Sequence, residues 1–186
     1  MAGHLRFEDE MGDSPLGKVH VVTGPGKGKT TAAFGLALRA AGHGMRVCVI
    51  QFMKSGMVTG EALAVQRVPK IQLHQFGTGK FVDLNHPSED DMRLAKEALD
   101  HARNVLEGDE CDMMILDEVN LAAAYGIVNP DDVIEILKSR RRGIEIVLTG
   151  RAAPEKFVDF ADYVSYIDDR KHPLREGAKA REGVEW

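Results

Sequence analysis

The chain has 186 residues, 44% hydrophobic and 28% charged, with a formal net charge of −5. That length suits one domain burying about 70% of the surface its unfolded chain exposes, and the composition excludes low-complexity and repeat architectures. The acidic balance argues against a nucleic-acid partner, and no apolar run approaches the ~20 residues of a membrane span.

Residues 1–17 are polar, aperiodic and acidic, ending in Ser14, Pro15 and Gly17; they are expected to form a flexible leader rather than a signal peptide. Residues 18–186 are expected to form the single domain. A β-branched run over 19–23 predicts a strand, followed by a glycine-rich turn and a helix over 29–41 with Phe34, Ala37, Leu38 and Ala41 on one face. Gly42 and Gly44 end that helix. A second strand over 47–52 leads into a long loop over 53–70, expected to face substrate. A third strand is expected at 71–76, then a helix capped by Ser88, with Asp91 at its third position and an apolar stripe of Met92, Ala95, Leu99, Ala102 and Leu106.

Residues 113–116 read as a fourth strand ending in Asp117 and Glu118, expected to lie beside the first. A loop follows, then a helix opened by Asn129 and Pro130 with Val133, Ile134 and Leu137 inward. Strands at 144–148 and 163–167 flank a short helix opened by Pro154. Lys138, Arg140, Arg141 and Arg142 read as cations at a helix C-terminus, where they complement the macrodipole. Alternating strands and helices with continuous apolar strands predict a doubly wound, mainly parallel six-stranded α/β sheet. Its ligands should bind at the carboxyl ends of the strands.

The run Thr23-Gly24-Pro25-Gly26-Lys27-Gly28-Lys29-Thr30-Thr31 lies between strand and helix as a P-loop does. Gly24, Gly26 and Gly28 are expected to take positive φ and aim backbone N–H groups at a phosphate chain. Lys29 adds charge, and Thr30, in the first helical turn, can ligate Mg²⁺. Thr23 stands where the usual pattern has its first glycine. Asp117 and Glu118 supply the acidic strand end that such a site pairs with a metal ion. Cys48 and Cys111 are too few for a disulfide framework, and neither they nor the seven histidines have metal-ligand spacing along the chain. These features are those of a protein in a reducing cytoplasm.

The segments TGPGKGKTTAAFGLALRAAGHG, QFMKSG, ILDEVNLAAAYG, VLTGR and KHPLREGAKAREGVEW stand in the order found in the P-loop ATP:corrinoid adenosyltransferases, which act on cob(I)alamin or cob(I)yrinic acid a,c-diamide, and the chain resembles that family from about residue 18 onward. The resemblance implies a RecA-like fold and a reaction in which Co(I) of a reduced corrinoid attacks the 5′ carbon of ATP and expels triphosphate. It implies catalytic roles for Lys29, Thr30 and Glu118, and Mg²⁺ ligation by Thr30, Asp117 and Glu118. Nucleotide or corrinoid contacts are implied for Gly24, Pro25, Gly26, Lys27, Gly28, Lys29, Thr30, Thr31, Arg39, Gln51, Phe81 and Arg151. A homodimer and a flavodoxin-like or flavin reductant are implied as partners.

This chemistry needs positioning and charge neutralisation rather than an acid–base pair, because Co(I) is a potent nucleophile and triphosphate a competent leaving group. One departure stands out: where relatives carry a phenylalanine and a tryptophan against the corrinoid's lower face, this chain reads Gly79-Lys80-Phe81-Val82. The alternatives are a P-loop small-molecule kinase, against which the scattered Arg151 and Arg170 speak, and an ATP-driven RecA-like module acting on nucleic acid or a partner protein, which the acidic balance disfavours.

Overall fold

The computed structural model describes residues 16–55 and 59–184, so most of the expected leader lies outside the described residues. Gly17 already belongs to the fold: its N–H donates to the Glu145 carboxylate at 2.8 Å and its carbonyl accepts from Arg140 at 2.8 Å.

The strands are β1 (Val19–Thr23), β2 (Val47–Phe52), β3 (Ile71–Phe76), β4 (Met113–Asp117), β5 (Glu145–Thr149) and β6 (Tyr163–Tyr166). All pair in parallel, in the order β3-β2-β4-β5-β1-β6. Every residue of β2, β4 and β5 is buried, as strands covered on both faces require. The helices are α1 (Lys29–Gly42), α2 (Gly60–Val65), α3 (Glu89–Glu107), α4 (Val119–Ala124), α5 (Pro130–Ser139) and α6 (Glu155–Phe160). One core layer joins α1 to the sheet through Ala33, Ala37, Val49, Ile115 and Val147. The other joins α3, α4, α5 and α6 through Leu99, Leu106, Val119, Leu137, Leu148 and Phe157.

Local chemistry sets the helix ends. Ser88 and Asp91 form the expected capping box of α3, each side chain accepting the other's backbone N–H. Asn129 caps α5 with Pro130 in its first turn. At the far end of α5, Arg140 donates to the Leu137 carbonyl and Arg141 to the Cys111 carbonyl at 3.3 Å, so the basic run closes a helix as expected.

Six expectations change. β4 does not lie beside β1; β5 pairs with both and separates them. The buried face of α1 is Ala33, Ala37 and Ala40, while Leu38 is 58% exposed: a face of small residues lets the helix sit close on the sheet. Met92 is 40% exposed, so the α3 stripe begins at Ala95. Part of the long loop forms α2, capped by the Thr59 hydroxyl, and the segment after Glu118 forms α4. Of the expected inward residues of α5, Ile134 is only partly buried and Ile136 takes the inner position. No helix among the described residues is long and apolar enough to cross a membrane.

Candidate functional site

The loop between β1 and α1 is held from behind. The Thr23 hydroxyl, at the position where a glycine was expected, accepts the Ala153 N–H at 3.1 Å and so fastens the segment after β5. Gly24 (φ 103°) and Gly28 (φ 109°) take the left-handed backbone that other residues resist. Gly26 does not share that conformation; its small size is needed for contact. Its N–H donates to the Ile167 carbonyl at 2.9 Å, and a Cβ there would lie 2.7 Å from the Asp168 carbonyl oxygen.

Lys29 is 7% exposed, and its ammonium donates to the carbonyls of Gly24 (2.9 Å) and Gly26 (2.6 Å). Burial, and then the Arg151 charge, hold its pKa below the ordinary lysine value, with Glu118 and Asp117 opposing. It is a positive charge kept in a poorly solvated place, which favours an incoming anion.

The acidic end of β4 is more elaborate. Asp117 is fully buried and its carboxylate accepts from four donors: the hydroxyls of Thr30 (2.9 Å) and Thr149 (2.6 Å), the Gln51 amide (2.9 Å) and the Lys54 ammonium (2.8 Å). Burial alone would raise its pKa; the Lys54 charge and hydrogen bond, then Thr149 and Gln51, outweigh it and hold the carboxyl below its usual range. Glu118 differs. Burial and the adjacent Asp117 charge push its pKa up, and its Oε2 is buried with no hydrogen-bond partner among the described residues. A buried carboxylate oxygen without a donor is costly unless a cation faces it.

The backbone around this end is strained. Met53 (φ 57°), Glu118 (φ 66°) and Ala152 (φ 53°) are the non-glycine residues with positive φ among those described. Such residues cost about 1–3 kcal/mol each and cluster where function demands them. They sit at the carboxyl ends of β2, β4 and β5.

A cavity of about 1040 Å³ opens there. Residues 26–31, Lys54, Glu118 and Arg151 line it together with the apolar Met53, Ala64, Phe81, Val82, Leu84, Leu121 and Val184. Phe81 is 100% exposed.

The structure thus brings together Gly26, Lys27, Gly28, Lys29, Thr30, Thr31, Glu118, Arg151 and Phe81 of the residues expected from sequence. Gly24 lies behind the loop, and Pro25 is exposed. Gln51 acts on the site through Asp117 while its own carbonyl oxygen accepts from Gln75 at 2.8 Å. Arg39 is exposed on α1 and does not line the cavity. Two residues were missed. Lys54 was quoted within QFMKSG without a role; a cation just after a buried strand was the available signal. Thr149 ends β5, and only the insertion of β5 between β1 and β4 brings its hydroxyl to Asp117 and to the Glu118 N–H at 3.2 Å.

One structural neighbour is a KaiC-like protein of Pyrococcus horikoshii OT3, matched at TM-score 0.50 and 16% identity over 85% of this chain and 75% of that one, a likeness of the RecA-like fold alone. Relatives in sequence include corrinoid adenosyltransferases of Sinorhizobium sp (36% identical, over 91% of this chain and 80% of the relative) and Pseudomonas aeruginosa (35%, over 91% and 84%). The one from Escherichia coli K12 is 35% identical over 91% of this chain and 86% of its own length. The family model for the ATP:corrinoid adenosyltransferases BtuR/CobO/CobP matches residues 16–186. By that match and by these relatives, the chain belongs to the ATP:corrinoid adenosyltransferase family.

Proposed function

We propose that the protein transfers the 5′-deoxyadenosyl group of ATP to Co(I) of a reduced corrinoid, cobalamin or cob(I)yrinic acid a,c-diamide, with triphosphate leaving, as the last alkylating step toward a coenzyme B12 form. The observation that carries this reading is one cavity lined both by the cationic phosphate loop and by apolar side chains that include the exposed Phe81. The C5′–O bond of ATP breaks as the cobalt–carbon bond forms, and the bonding pair stays with the triphosphate oxygen. That leaving group needs cations and amide donors, which residues 26–30 and Arg151 offer.

Mg²⁺ fits the donors present, since Glu118 Oε2 is buried without a partner among the described residues and Thr30 lies in the first turn of α1. Thr30 and Glu118 would hold the ion, which supplies neutralisation of triphosphate charge. Thr30 donates its proton to Asp117, which leaves its oxygen lone pairs available to a cation. Asp117, its oxygens already engaged by four donors, serves as the positioning residue for Thr30 and Lys54. Lys29 and Thr31 contact the phosphates. Gly24 and Gly28 shape the turn, Gln51 orients Asp117, and Phe81 with Val82 meets the corrin face. Arg39, exposed on α1 and outside the cavity lining, is assigned no phosphate contact in this reading.

The same reading includes a homodimer, because edge strand β6 leaves Tyr163, Val164 and Tyr166 exposed and such an edge invites cover. A flavin or flavodoxin-like donor in the cytoplasm would supply the electron that reduces the corrinoid's Co(II) to Co(I), and the free buried thiols Cys48 and Cys111 suit that reducing setting. The test is to incubate protein, ATP, Mg²⁺ and chemically reduced cobalamin and to follow the alkyl-cobalt spectrum with triphosphate release. Release of ADP without the spectral change would remove the reading and favour a kinase.

A further inference from the structure

On the α3 face of the sheet, away from the residues that line the nucleotide cavity, three elements bring three soft donors together. Cys48 comes from β2, His74 from β3 and His101 from α3, and one ligand atom from each lies within 4.8 Å of the others. The two imidazole rings are 4.3 Å apart at centroids and tilted by 53°. Cys48 is 3% exposed, and Nε2 of His101 is buried with no hydrogen-bond partner among the described residues. Leaving such a nitrogen unmatched is unfavourable.

We propose that Cys48, His74 and His101 hold a zinc ion as three protein ligands with one open position. Zinc takes thiolate sulfur at about 2.3 Å and imidazole nitrogen at about 2.0–2.1 Å in a tetrahedron. The donors must therefore draw in by roughly 1 Å, within the reach of side-chain rotation about a helical and a strand position. Water completes the fourth position. Hard cations are disfavoured, because they require oxygen ligands and the cluster has none. As the Zn–S bond forms, the thiol proton leaves to solvent. Burial, then Cys111, pushes the free Cys48 thiol up to about 12, so coordination itself must drive that ionisation. Cys111 is not in the donor set; its thiol is engaged with the Met113 carbonyl at 3.1 Å.

The site has a consequence for the cavity. β3 and α3 are the two ends of the 77–88 connection, which carries Phe81 and Val82. One ion binding His74 and His101 would tie together the two elements that flank that connection, independently of whether adenosyl transfer is the reaction.

The experiment uses the full chain stripped with a chelator, then titrated with Co²⁺ as a spectroscopic substitute and with Zn²⁺ in thermal unfolding. The expected result is one equivalent bound, a thiolate-to-cobalt charge-transfer band, and a Tm rise of about 5–10 °C when zinc stands 100-fold above its Kd. Cys48→Ala and His101→Phe should abolish the band and Cys111→Ala should retain it, with circular dichroism confirming that each variant folds. Absence of the band in the unaltered chain, its survival in Cys48→Ala, its loss in Cys111→Ala, or zinc stabilisation without it would overturn the proposal. The measurement on the unaltered chain decides the matter even if a variant fails to fold.

Discussion

Nζ of Lys54 lies 2.8 Å from Oδ2 of Asp117, a carboxylate fully removed from solvent. The pair joins the carboxyl ends of β2 and β4 directly beneath the phosphate loop. The Asp117 pKa is depressed in the folded protein. A depressed acid contributes stability above its unfolded pKa of about 3.9 and loses it as pH falls through the lower folded value. Lys54→Met removes the strongest opposing charge, so the folded pKa rises and the acid limb of unfolding moves to higher pH. Because the Lys54 side chain is 29% exposed, the loss at neutral pH should fall near about 2 kcal/mol, below the about 3–5 of a wholly buried pair. Denaturant unfolding across a pH series checks both; an unchanged acid limb would contradict the pairing.

Lys29→Ala should lower affinity for tripolyphosphate by about 100-fold or more, since it removes a charge-assisted contact from a loop whose shape the glycines set. Far-UV circular dichroism should be unaltered. Titration calorimetry with tripolyphosphate isolates this effect from adenosine and corrinoid binding, and equal affinity would count against the cradle.

Two glycines of the loop separate contact from conformation. Gly26→Ala puts a Cβ 2.7 Å from the Asp168 carbonyl oxygen, so the backbone must shift away from the segment after β6, at about 1–3 kcal/mol. Gly28→Ala meets open space but keeps a φ of 109°, a strain of about 1–2 kcal/mol. Chemical denaturation should show both losses. Only Gly26→Ala should also raise hydrogen exchange at the Gly26 and Ile167 amides, because Ile167 donates to Thr23 and its carbonyl accepts from Gly26.

Phe81→Ala should leave stability within about 0.5 kcal/mol, as expected for a side chain in full contact with water. ATP affinity should not change. The KM for corrinoid should rise by about tenfold, the loss of one aromatic contact of about 1.4 kcal/mol. Steady-state kinetics with each substrate varied in turn would show this split, and a matching rise in the KM for ATP would place Phe81 elsewhere.

Much of this was legible because it is local chemistry. The glycine spacing before Lys29, the Ser88 and Asp91 capping pair, and the continuous apolar runs of β2 and β4 each specify their own conformation. What was not legible depends on which elements become neighbours. Nothing along the chain says that β5 inserts between β1 and β4, so Thr149 could not be seen as a donor to Asp117. The buried face of α1 runs through alanines, whose weak apolar signal was overridden by the louder Phe34 and Leu38. Cys48, His74 and His101 lie far apart in the chain and meet only because α3 packs across β2 and β3. Spacing rules for metal ligands are blind to such sites.

The most direct measurement is of which bond of ATP breaks. With ATP carrying ¹⁸O at the bridging 5′ oxygen, one turnover with chemically reduced cobalamin and mass spectrometry of the products should find the label wholly in released triphosphate, as cleavage between the 5′ carbon and that oxygen requires. Label retained in ADP or in an adenosine-bearing product would show that phosphorus, not carbon, is the centre attacked, and would contradict the assignment of residues 24–30 as the cradle of a leaving triphosphate.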